Sequence, residues 1–225
     1  MWLLLAALCS PLQAATDIAW VWPSSDAPPA AHYKTLAVLT DTLLFKGELV
    51  TRQPRRRALV VLDTRVSVIP VVHVQALPDS PDVFSDAQRK AVLAALERAV
   101  AGATSGWVQL DFEAPSRQRE AYLDLVKTAR QRLPASVRFS VTALASWCLQ
   151  GAWLDRLAAD EVVPMWYRMG EPLAQDHPGL HARCRGPAAG FSVQTPPKQA
   201  VADRFARRFW FNERNWTADP SQRFP

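Results

Sequence analysis

Hydrophobic positions fall into short blocks that, from residue 85 onward, alternate with longer stretches of helical period. The blocks are IAWVW (18–22), LAVLTDTLLF (36–45), VSVIPVVHV (66–74), WVQLDF (107–112), VRFSVTAL (137–144), EVVPMWY (161–167), GFSVQ (190–194) and FWFNE (209–213). Their lengths and their β-branched and aromatic content predict strands. Residues 85–103 predict a helix, with Ser85 as N-cap and Gly102 near its stop. Residues 116–134 predict another, capped by Ser116, with Tyr122, Leu125, Val126 and Leu133 on one stripe and Pro134 beyond its end. Shorter helices are predicted at 151–159 and 197–208.

Strands separated by helices imply a parallel sheet, and eight such units close into a (β/α)8 TIM-like barrel. The chain is short for that fold, so the barrel is expected to be small or irregular. Pro70 and Pro164 interrupt strand blocks, and residues 46–58 read as a hairpin or excursion. An open doubly wound sheet is the alternative, but no Gly-rich phosphate loop follows the first strand. No cofactor is expected.

Composition sharpens the picture. Of 225 residues, 49% are hydrophobic and 21% charged, which describes a globular chain. The net charge of +5 is mild, and the Arg residues are scattered apart from Arg55, Arg56 and Arg57. This predicts a surface facing an anionic envelope or polymer and no nucleic-acid stripe. The start, MWLLLAALCSPLQAATD, has the apolar run and small residues of a secretory signal peptide. Residues 1–15 are read as that signal and 16–225 as one exported, periplasmic domain with no mature transmembrane span. Cys9 leaves a lipoprotein as an alternative. Cys148 and Cys184 would then share an oxidising compartment, which suggests one disulfide; two separate buried thiols are the other reading. Without a CxxC pair, and with His177 and His181 in a Pro- and Gly-containing loop, no metal site is expected.

A parallel barrel carries its chemistry at the C-terminal strand ends. That rule selects Trp22, His73, Asp111 and Glu113, Trp147, Tyr167 and Arg168, and Asn212 and Glu213. Strand alternation puts Gln109, Asp111 and Glu113 on one face. Stacking faces mixed with hydrogen-bonding groups suit a sugar, which offers both hydroxyl edges and apolar C–H faces. The two carboxylates stand about 6–7 Å apart at Cα, and their repulsion tends to raise one pKa, as a general acid requires. The plainer readings are a solvated strand end, or an ion pair with Arg168. Ser140, Thr142 and Ser146 lie in no nucleophile elbow.

QLDFEAP resembles the D-x-D-x-E signature of family-18 glycoside hydrolases, the chitinase-like barrels, with Gln109 in place of the first Asp. DEVVPMWYRMG resembles their M-x-Y motif through Met165 and Tyr167. VTALASWC, DEVVPMWYRMG and FWFNERNWT together resemble the bacterial domain-of-unknown-function family 3142, which implies a glycosidase-like barrel. By resemblance, Glu113 would be the acid, Asp111 would orient it and a substrate acetamido group, and Tyr167 would bond the acetamido oxygen. Gln109, Trp22, His73, Trp147, Met165, Arg168, Asn212 and Glu213 would bind substrate. The implied function is an O-glycosyl hydrolase acting on an amino-sugar glycan of the cell envelope. A non-catalytic glycan-binding barrel and an envelope scaffold remain alternatives.

Overall fold

A computed structural model describes residues 15–22, 32–54, 65–149, 151–168, 178–213 and 216. The leader-like run with Cys9, the Arg55–Arg57 cluster and His177 lie outside them. Nine strands are described: β1 (Thr16–Val21), β2 (Thr35–Lys46), β3 (Leu49–Pro54), β4 (Ser67–Ala76), β5 (Trp107–Phe112), β6 (Arg138–Leu144), β7 (Glu161–Met165), β8 (Ala188–Ser192) and β9 (Arg207–Phe211). All but β3 are parallel neighbours in one sheet, and β1 pairs with both β2 and β9. The sheet therefore closes into an eight-stranded parallel barrel, the (β/α)8 architecture expected from the alternating pattern. β3 is the hairpin partner of β2, antiparallel to it from Asp41↔Pro54 to Lys46↔Leu49. Gly47, at φ 51°, makes the turn.

The outer layer is trimmed. α1 (Asp86–Ala99) and α2 (Arg119–Arg132) are the long helices among the described residues, and 3-10 turns replace several others. α1 starts where its sequence says it should. Ser85 and Gln88 form a reciprocal capping box, and Gln88 Nε2 also donates to Gly47 O at 2.9 Å, tying the hairpin turn to the helix. Three expectations shift. Ser116 opens a 3-10 turn, and the cap position of α2 falls on Gln118 with no side-chain cap bond. The helix expected over 197–208 is one turn, α3 (Gln199–Ala202), because Arg207 and Arg208 are already laddered to Thr16 and Asp17. The last two strands consequently begin and end two residues earlier than their hydrophobic blocks suggested.

Pro70 and Pro164 both sit inside strands, at Val38↔Pro70 and Ala143↔Pro164. Beside Pro70, which brings no N–H, the β2–β4 ladder slips by one residue between Leu39 and Asp41. The extra residue, Thr40, donates its hydroxyl to Val71 O at 3.1 Å. This bulge inverts the pleat of β2. Ala37 and Leu39 pack inside the barrel, whereas Leu43 and Phe45 join the outer core beneath α1 and α2. Asp41 turns outward with them and is held by Arg52 Nε at 2.7 Å and Arg98 Nη2 at 3.5 Å. Cys148 and Cys184 are disulfide-bonded, joining the 3-10 turn after β6 to the one before β8.

Candidate active site

Strand alternation builds the site. β5 points Trp107, Gln109 and Asp111 into the barrel and sends Val108, Leu110 and Phe112 to the outer core. Its neighbours present His73 from β4, level with Asp111, and Thr142 from β6. Asp111 is buried, and each of its oxygens has a partner. Thr142 Oγ1 donates to Oδ1 at 2.6 Å, and His73 Nδ1 lies 2.9 Å from Oδ2. The carboxylate plane is thus held from both sides.

Above it opens a small hollow, partly open to solvent. Trp20, Trp22, Leu39, Val71, Asp111, Thr142, Met165 and Tyr167 line it. The walls are aromatic and aliphatic, with the acid and the Thr142 hydroxyl as polar points. Tyr167 stacks on Phe211, with ring centroids 5.2 Å apart at 13°, and its hydroxyl donates to Met165 Sδ at 3.4 Å. Trp22 stands edge-on to both Phe211 and His73. Trp20 closes the hollow from below. Its ring lies over Gly190, where a Cβ would come within 2.7 Å of it. Only glycine admits the indole there.

The expected residues separate into those that meet and those that do not. Asp111, Tyr167, Met165 and Trp22 share the hollow, and His73 is bonded to Asp111. Glu113 lies one residue beyond the end of β5, half-buried, in a tight turn closed by Ala114 N–H to Phe112 O at 2.9 Å. It is outside the lining. Gln109 does not reach the hollow. It is fully buried beneath, with its amide bonded to Trp20 and Ser140. Trp147 belongs to the outer core, between Tyr122 and Trp153, because the 3-10 turn after β6 carries it over the outside of the sheet. Asn212 is buried and accepts from Gln194 Nε2 at 2.5 Å, while Glu213 is exposed past β9. Neither lines the hollow. The Arg168 side chain lies outside the described residues. Among the described residues no three metal-ligating side chains converge.

The sequence reading missed Trp20, Thr142 and Gly190. Trp20 lies one residue and Thr142 two residues inside their strand ends, and the inward parity of Asp111 and Trp22 was the signal that could have found them. Near the site, burial foremost and the charge of Asp111 next push the Tyr122 hydroxyl far up its scale, so it stays neutral. Deeper in the barrel, burial raises the Glu161 carboxyl above the ordinary range, against the opposing pull of Arg207, Ser140 and Arg138.

No family model matches the chain, and no curated protein matches it in sequence. Its fold does have relatives of known structure. The spore cortex-lytic enzyme SleL of Bacillus cereus superposes with a TM-score of 0.54 at 15% identity, over 80% of this chain. A chitinase from Bacteroides thetaiotaomicron gives 0.53 at 10% identity, again over 80% of this chain. The chain spans 51% of the first structure and 68% of the second. A xylanase-A-amylase inhibitor protein, XAIP-III, gives 0.51 at 11% identity, over 90% of this chain and 94% of that one. At such identities the likeness is one of fold, a closed (β/α)8 barrel that this chain shares with those proteins.

Proposed function

We propose that this chain is an exported, periplasmic member of domain-of-unknown-function family 3142 that binds an amino-sugar glycan of the cell envelope and hydrolyses it. The observation that carries the reading is Asp111: a buried carboxylate at a barrel strand end, fixed by His73 and Thr142, under a small aromatic-lined hollow. Trp22 and Tyr167 offer faces to the apolar side of a pyranose, and Asp111 and Thr142 meet its polar edge. Glu113 supplies the acid that protonates the glycosidic oxygen, and the substrate's own acetamido oxygen attacks the anomeric carbon. Asp111 orients that acetamido group and Tyr167 bonds its oxygen. The turn carrying Glu113 must swing its carboxyl over the hollow for this step.

Two observations favour a second reading, a glycan-binding barrel without turnover. Glu113 stands outside the lining, and the first acid of the motif is replaced by Gln109. A neighbour described as an inhibitor protein also shares the fold over nearly its whole length. Glu113→Gln separates the two. In an enzyme, release of reducing ends from N-acetylated oligosaccharides falls at least about 100-fold while binding is retained. A binding module shows no turnover in either form. Absence of saccharide binding by the unaltered protein would sink both readings.

A further inference from the structure

Beneath the hollow, side chains from successive strands form a single file. Trp20 Nε1–H donates to Gln109 Oε1 at 2.8 Å. Gln109 Nε2 lies 3.2 Å from Ser140 Oγ. Ser140 Oγ donates to Glu161 Oε1 at 3.0 Å, and Arg207 Nε donates to Glu161 Oε2 at 2.7 Å. With Glu161 ionised opposite Arg207, every direction in this file is forced. An indole only donates, so the Gln109 oxygen must face Trp20 and its nitrogen must face Ser140. An ionised carboxylate only accepts, so the single Ser140 proton goes to Glu161 and its oxygen is left to receive Gln109.

We propose that Gln109 is a positioning residue: through Ser140 and the Arg207–Glu161 pair it locks the Trp20 indole as the floor of the ligand hollow. The proposal rests on the hollow being the saccharide site. It also explains why an amide stands where the resembled motif has an acid. A carboxylate at position 109 would leave Ser140 with one proton between two buried acceptors. The negative charge sits instead two strands along on Glu161, where Arg207 can meet it.

The forced polarity gives a test by reversal. Gln109→Glu strands Ser140 between two carboxylates. Glu161→Gln turns an amide N–H either onto Arg207 or onto a Ser140 oxygen that already receives one. The double variant Q109E/E161Q restores every hydrogen-bond direction, although its carboxylate no longer faces Arg207: the carboxylate now at position 109 accepts from Trp20 and Ser140, and the amide now at position 161 donates to Ser140 and accepts from Arg207. Two readouts apply to the full chain. The first is ligand-free, namely the hydrogen exchange and NMR shift of the Trp20 indole N–H, assigned by its loss in Trp20→Phe. The second is affinity for tri-N-acetylchitotriose. Each single variant is expected to speed indole exchange and weaken affinity by about tenfold, and the double variant to recover part of both, since the hydrogen-bond polarity returns but the Arg207 ion pair does not. A single variant that fails to fold while the double folds is the same rescue. The proposal is overturned if the indole signal is unmoved in Q109E, or if the double variant is no better than the worse single, unfolded included. If the indole is rescued but no form binds the oligosaccharide, the positioning role stands and the saccharide reading falls.

Discussion

Glu161 shows how a single side chain can govern a site it never touches. Burial is the main influence on its carboxyl and raises it; Arg207, Ser140 and Arg138 pull the other way. The native state therefore holds this proton more tightly than the unfolded chain does. As pH climbs past the unfolded value of about 4.3, the unfolded chain ionises first, and the stability contributed by this site falls until the native carboxyl has ionised too. Denaturant midpoints measured from pH 4 to 8 should show that declining component in the parent protein and its loss in Glu161→Gln. Parallel curves for the two proteins would refute the linkage. The candidate residues were legible wherever strand parity fixed them, as at Asp111, His73 and Met165. Trp147 was not, because parity says nothing once a chain leaves the sheet into a 3-10 turn. Gly190 was invisible for another reason: its meaning lies in a ring contributed 170 positions away in the chain.

At the level of elements, β2 shows what one inserted residue accomplishes. Without the Thr40 bulge, strict alternation would aim Asp41 into the barrel, on the same side as the buried Asp111, and Leu43 and Phe45 would leave the outer core. Deleting Thr40 outright would instead make Leu39 and Asp41 consecutive opposite Val71 and Val72 and keep Asp41, Leu43 and Phe45 facing outward, so it should cost less than about 2 kcal/mol in chemical denaturation. A loss of about 4 kcal/mol or more, as for an acid buried away from its Arg partners, would mean that the outward facing of Asp41 does not follow from this slip. Bulges of this kind are hard to read in advance. LAVLTDTLLF looks like one uninterrupted strand, and only the pairing with Pro70 beside it exposes the irregularity. α1 was readable to the residue because its start is written locally, in Ser85 and Gln88. β9 was not. Arg207 and Arg208 look like a helix tail, yet they are strand residues whose guanidiniums meet Glu161 and Asp17.

For the whole molecule, alternation of blocks revealed the closed ring, while the thinness of its outer layer did not follow from any one segment. Part of that thin layer is cross-linked. Cys148–Cys184 encloses a 36-residue separation that contains β7 and the Met165–Tyr167 wall. Replacing both cysteines with serine should lower unfolding free energy by about 2–4 kcal/mol and loosen the Tyr167 side of the hollow. Unchanged midpoints under oxidising and reducing conditions would count against that role. The Trp20 indole, seated over Gly190 and bolted to Gln109, has one more effect. It stops the bore like a cork, so the barrel is a blind cup. A polymer cannot thread through it, so a strand of the proposed glycan would lie across the brim, dip in one unit and withdraw by the same path.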